Sequence, residues 1–117
     1  MTTMPIDDYS FGQIRVAGRP YEADVIIFPD HVQERWWRRE GHRLETQDLD
    51  TVLANRPELL VIGTGYYGRM LVPQQTLESL QTAGIQVKAY KTSDAVAEFN
   101  RVQRVCPRIV AALHLTC

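Results

Sequence analysis

The apolar run Leu59-Leu60-Val61-Ile62 passes directly into Gly63-Thr64-Gly65-Tyr66-Tyr67-Gly68, and this junction constrains the fold more than any other stretch. A buried strand ending in a glycine loop opens a strand-helix-strand unit, and the residues that follow keep that pattern. Pro73 suits the first position of a helix, where its missing N–H costs nothing. Leu77 and Leu80 give that helix an inner face, Gly84 ends it, and Ile85, Val87 and Ala89 alternate as the next strand. Thr92 or Ser93 suits the cap of a further helix with Val96, Phe99 and Val102 turned inward. Ile109 to Leu115 then reads as a central strand covered on both faces. The right-handed crossover rule makes the strands at Leu59 and Ile85 parallel.

The residues before this unit have different periods. Phe11, Ile14 and Val16, the turn residues Ala17-Gly18-Arg19-Pro20, and the run Val25-Ile26-Ile27-Phe28 predict β structure. Val32 to Arg38 predicts a further extended segment closed by Gly41-His42. Leu49, Val52 and Leu53 then make one stripe of a short helix that stops before Pro57. The expectation is an α/β fold: one three-layer domain over residues 1–117, with a central mixed sheet, helices packed on it and an N-terminal β-hairpin layer. Short strands near the amino terminus would leave an edge open to self-pairing, and thus to a homodimer.

Composition excludes several function classes. A net charge of -1 gives no general attraction to nucleic acid or anionic membranes. No apolar stretch reaches the roughly 18 residues a membrane helix needs. Asp7 and Asp8 lie where a leader would be basic or apolar, so the expected location is cytoplasmic, with Cys106 and Cys117 as reduced thiols. Cys106, His114 and Cys117 match no common zinc spacing, so no metal is expected, and His114 reads as a satisfied core histidine. No serine stands in a nucleophile elbow and no nucleophile–base pair is evident, which favours a binding module over an enzyme.

Two places carry binding chemistry. At the first, Gly63, Thr64, Gly65, Tyr67, Gly68 and Arg69 offer bare amides, a hydroxyl, an aromatic wall and a fixed charge at a strand's carboxyl end, the elements of an anion or small-molecule site. A nucleotide-dependent protein or enzyme using this loop is the alternative reading. A dinucleotide fingerprint, however, needs a helix opening inside the motif and an acid after the next strand. Arg69-Met70-Leu71-Val72 intervene before Pro73, and the strand end reads Tyr90-Lys91-Thr92, so no cofactor is assigned. On the anion-site reading, Gly65→Val should fold and lose its ligand. The plainer reading of the same glycines is a tight turn beneath a neighbouring segment.

The second place is Trp36-Trp37-Arg38. Successive residues of an extended chain face opposite sides, so one tryptophan enters the core and the other lines a pocket or an interface. Arginine and aromatic side chains dominate protein contacts, and Glu34 and Glu40 dilute the charge that nucleic acid would require.

Several segments together resemble a known family. They are Tyr9-Ser10-Phe11-Gly12, Trp36-Trp37-Arg38, Gly41-His42, Pro57 through Gly65, Thr92 through Asn100, and Ala111 through Cys117. The family is that of small α/β domains including the mitochondrial complex I assembly factor 3 and the adipogenesis-associated protein of animals. The resemblance implies a three-layer fold whose last strand is antiparallel to its neighbours, no catalytic mechanism, and a protein partner linked to respiratory complex assembly.

Overall fold

The computed structural model describes residues 4–117; residues 1–3 of the expected span lie outside that description. The central sheet has five strands: β4 (Val25–Ile27), β5 (Val32–Gln33), β6 (Leu59–Thr64), β7 (Gln86–Tyr90) and β8 (Ile109–His114), in the order β5-β4-β8-β6-β7. A separate antiparallel sheet joins β1 (Ile6–Ser10), β2 (Gln13–Val16) and β3 (Arg19–Tyr21). Helices α1 (Asp50–Asn55), α2 (Gln74–Thr82) and α3 (Thr92–Val102) complete the molecule, with a 3-10 turn at Thr46–Leu49 leading into α1.

Alternation along the strands builds two cores. Leu59 and Val61 of β6 and Ile109, Ala111 and Leu113 of β8 pack beneath Ala95 and Phe99 of α3 and against Ile14 and Val16 of the small sheet. Leu60 and Ile62, with Val110 and Ala112, face Val52 of α1, Leu80 of α2, Trp36 and Leu44. Every residue of β8 is buried, as the unbroken apolar run requires of a strand covered on both faces.

The last strand does not behave as the resemblance implied. β8 is antiparallel to β4 but parallel to β6. The cause is the crossover through α3, which returns the chain to the sheet in its original sense. The N-terminal segments divide: β1–β3 form the outer layer, whereas β4 and β5 extend the central sheet.

The helices also differ in detail. Pro73 precedes the first turn of α2 instead of occupying it, and Thr76 takes the buried place beside Leu80, its Oγ1 donating to Leu44 O at 2.9 Å. Thr92 is the first residue of α3, not its cap. Only Val32–Gln33 of the expected strand is paired; the chain leaves the sheet at Arg35, whose φ is 51°. The edges expected to self-pair each carry a local interruption. Asn100 accepts from Ile6 N at 2.9 Å and donates to Ile6 O at 2.8 Å, capping β1. Strand β3 carries Pro20, which has no N–H. Among the described residues, no helix is long and apolar enough to cross a membrane.

Two glycines with positive φ separate turn strain from close packing. Gly84 (φ 84°) has open space where a Cβ would go, so Gly84→Ala costs about 1 kcal/mol. A Cβ on Gly65 (φ 112°) would lie 2.5 Å from both Cys117 C and Thr116 O, so Gly65→Ala costs roughly 3 kcal/mol or more. Urea unfolding of the two variants checks the contrast, and equal losses would contradict it.

Candidate functional site

The carboxyl ends of β6, β7 and β8 lie together, because Gly63 is in register with both Tyr90 and Leu113. Loops at this end lead to helices on opposite faces, α2 from β6 and α3 from β7, which is where open α/β sheets hold ligands. Here the space is occupied by the chain itself. Segment Leu115–Cys117, following β8, lies against the glycine loop and accepts its amides: Tyr66 N donates to Thr116 O and Arg69 N to Cys117 O, each at 3.1 Å.

Gly65 N donates to Thr92 Oγ1 at 2.8 Å, Gly68 N to Gly65 O at 3.1 Å, and Thr64 Oγ1 to Tyr90 O at 3.0 Å. Of the residues expected to cradle an anion, Gly65, Gly68 and Arg69 therefore have their amides already bonded within the protein, as does Tyr66 beside them. The glycines serve close approach instead. A Cβ on Gly63 would sit 2.8 Å from Thr92 Oγ1 and 2.9 Å from Leu113 Cδ2. The expectation that Gly65→Val folds and merely loses a ligand fails for the same reason, since its side chain would strike the backbone of segment 115–117.

What the loop does present is its side chains. Tyr66 and Tyr67 meet at 5.0 Å between ring centroids, and Phe11, from the β1–β2 turn, lies 5.6 Å from Tyr66 and 6.2 Å from Tyr67. The Arg69 guanidinium lies 5.8 Å from the Tyr67 ring centroid. Phe11, Tyr66 and Tyr67 remain 50%, 45% and 59% exposed. Tyr9 anchors the group from below: its ring is 6.3 Å from Tyr66 and its hydroxyl donates to Leu115 O at 2.9 Å. Burial pushes the Tyr9 hydroxyl up to about 12. Phe11 was not a candidate in the sequence, where it read only as one residue of a strand.

The second candidate set divides. Trp36 is buried, its Nε1 donating to Asp48 O at 2.9 Å, and Arg38 is buried with its Cζ 4.7 Å from the Trp36 ring centroid. Neither is available to a partner. Trp37 alone stays outside, 77% exposed, beside a groove bordered by Gln33, Arg39, Asp48 and Thr51. The one-in, one-out expectation for the tryptophans matches this placement.

Arg38 turns inward to a cluster no sequence pattern announced. Its Nη2 forms an ion pair with Asp24 Oδ2 at 2.8 Å, and the same carboxylate oxygen lies 2.8 Å from His114 Nδ1. Asp24 Oδ1 accepts from Leu115 N at 2.7 Å, tying segment 115–117 to the β3–β4 connection. Desolvation raises the Asp24 carboxyl, but hydrogen bonds from His114, Leu115 N and Arg38 outweigh it and hold the group below the ordinary carboxylate range. A carboxyl more acidic folded than unfolded stabilises the fold above its unfolded value of about 3.9, and that stabilisation is lost as pH falls through the lower folded value. Carbon-detected NMR titration should therefore place Asp24 below free aspartate; a midpoint at or above the free value would contradict the network.

Comparison with known proteins agrees with this architecture. A family model described as a protein of unknown function (DUF498/DUF598) matches residues 6–114. An outer membrane protein from Bartonella henselae is similar in structure, with a TM-score of 0.83 and 24% identity over 99% of this chain and 98% of that one. A conserved hypothetical protein from Pyrococcus horikoshii gives a TM-score of 0.78 and 23% identity over 97% and 100% of the two chains. A Bordetella pertussis protein described as an Mth938-like domain gives 0.79 and 20% identity, over 96% and 85%. At these identities the likeness concerns the fold. The match along nearly all of the described residues places the chain in the DUF498/DUF598 family, the small α/β family that its sequence resembles.

Proposed function

We propose that this chain is a non-enzymatic binding domain that docks a protein partner at the carboxyl end of its central sheet. One observation carries the reading: Phe11, Tyr66 and Tyr67 pack on one another and stay about half exposed, with Arg69 against them. Scattered surface rings are ordinary, but rings clustered on a rigid base, next to arginine, are the composition of interface hot spots. The base is rigid because Tyr66 N and Arg69 N are bonded to segment 115–117, so a partner would find the patch already ordered. Family membership adds one class of partner to test, a respiratory assembly protein; nothing in the geometry of the patch selects it.

A photo-crosslinking residue placed at Tyr67, and in a second chain at Trp37, distinguishes the two exposed aromatic surfaces in the native host. The reading expects a discrete adduct from position 67 that falls at least about tenfold when Phe11→Ser is added, as for a hot-spot residue. Adducts only from position 37, or none from either, would contradict it.

A further inference from the structure

The Arg38–Asp24–His114 cluster holds groups that the fold leaves unused. The side chains of Arg38 and His114 are 4% and 6% exposed. Arg38 Nε, Arg38 Nη1 and His114 Nε2 are buried and have no hydrogen-bond partner among the described residues. Native interiors seldom keep such atoms unpaired, least of all several in one cluster.

Counting hydrogens shows what is missing. Nη2 of Arg38 donates to Gly41 O at 3.1 Å and lies 2.9 Å from His114 Nδ1 and 2.8 Å from Asp24 Oδ2, its ion-pair partner. The ionised Asp24 carboxylate can only accept, so at 2.8 Å from its Oδ2 the His114 Nδ1 carries the hydrogen and donates it. With the tautomer so fixed, His114 Nε2 is a bare acceptor, while Arg38 offers one hydrogen on Nε and two on Nη1 to nothing. The complement is a group that accepts from a guanidinium and supplies a proton to an imidazole.

We propose that this cluster is a latent site for a small carboxylic acid, bound as its carboxylate by Arg38 with its proton taken up on His114 Nε2. The charges balance: Asp24 and Arg38 cancel, and the carboxylate brings one negative charge that protonated His114 offsets. Only an O–H bond breaks and an N–H bond forms; no other covalent bond changes. The remaining groups facing the cluster keep their places. Thr92 Oγ1 of α3 holds His114 O at 2.6 Å, Tyr9 of β1 holds Leu115 O, and the His42 ring stands edge-on at 6.1 Å from the His114 ring. His42 is exposed on the irregular stretch that covers the cluster. That stretch is pinned to Leu71 by Leu71 N→His42 O at 2.7 Å and Leu44 N→Leu71 O at 2.9 Å. The site is separate from the aromatic patch and stands or falls without it.

Nitrogen-detected NMR of the histidine side chains in the full chain, titrated with sodium acetate and in parallel with sodium chloride, tests this directly. Acetate should saturably convert His114 from the Nδ1–H tautomer to the imidazolium. Its apparent affinity should weaken about tenfold per pH unit wherever His114 is neutral in the unliganded protein, as uptake of one proton requires. Arg38→Lys keeps the charge beside Asp24 but lacks Nε and Nη1, and should abolish the response. An unchanged His114 spectrum in acetate at every pH would overturn the proposal, and so would an equal response to chloride. Both results are read on the unsubstituted protein, so the test does not depend on the variant folding.

Discussion

A single hydroxyl joins three parts of this molecule. Thr92 Oγ1, on the first residue of α3, donates to His114 O at the end of β8 and accepts from Gly65 N just past the end of β6. It reaches both because Gly63 has no side chain to hold it off. Where the strands end, segment Leu115–Cys117 continues the seal, taking hydrogen bonds from Tyr66 N and Arg69 N on one side and from Gly12 N and the Tyr9 hydroxyl on another. Backbone donors that would otherwise have to be paired with a ligand are paired within the chain.

This closure decides what kind of chemistry the carboxyl end can offer. In a nucleotide-binding α/β domain the glycine loop supplies amides and the helix start completes the cradle. Here α2 starts only at Gln74, well past the loop, and the amides of Gly65, Tyr66, Gly68 and Arg69 are bonded within the chain. What this end presents instead is side chains: the Phe11–Tyr66–Tyr67 rings with Arg69 outside, and the Arg38–Asp24–His114 cluster inside. The two differ in character. The outer one is aromatic and half exposed; the inner one is charged and buried.

Much of the architecture was legible because it rests on periodicity. The run from Leu59 to Ile62, the alternation at Ile85, and the unbroken apolar stretch from Ile109 each correspond to a strand of the central sheet. The site was less legible, since its contacts join residues distant in sequence. A glycine pattern shows that something must come close to the backbone, but not whether that neighbour is a phosphate or segment 115–117. Asp24 sits between Ala23 and Val25 with nothing nearby to mark it, and its role comes from β4 pairing with β8, which brings it to His114. Alternation did separate Trp36 from Trp37, although both lie beyond the paired strand, which ends at Gln33. It carried Arg38 inward with Trp36, against the expectation that an arginine beside two tryptophans faces a partner.

The central claim is that the glycine loop is closed by its own chain. Native-state amide hydrogen exchange measures this at Gly65, Tyr66 and Arg69 without any substitution. Closure predicts protection of all three amides approaching that of the β6 and β8 strand amides, in the absence of any ligand. Exchange at these positions as fast as in an exposed turn, with protection gained only when a nucleotide or inorganic anion is added, would contradict it.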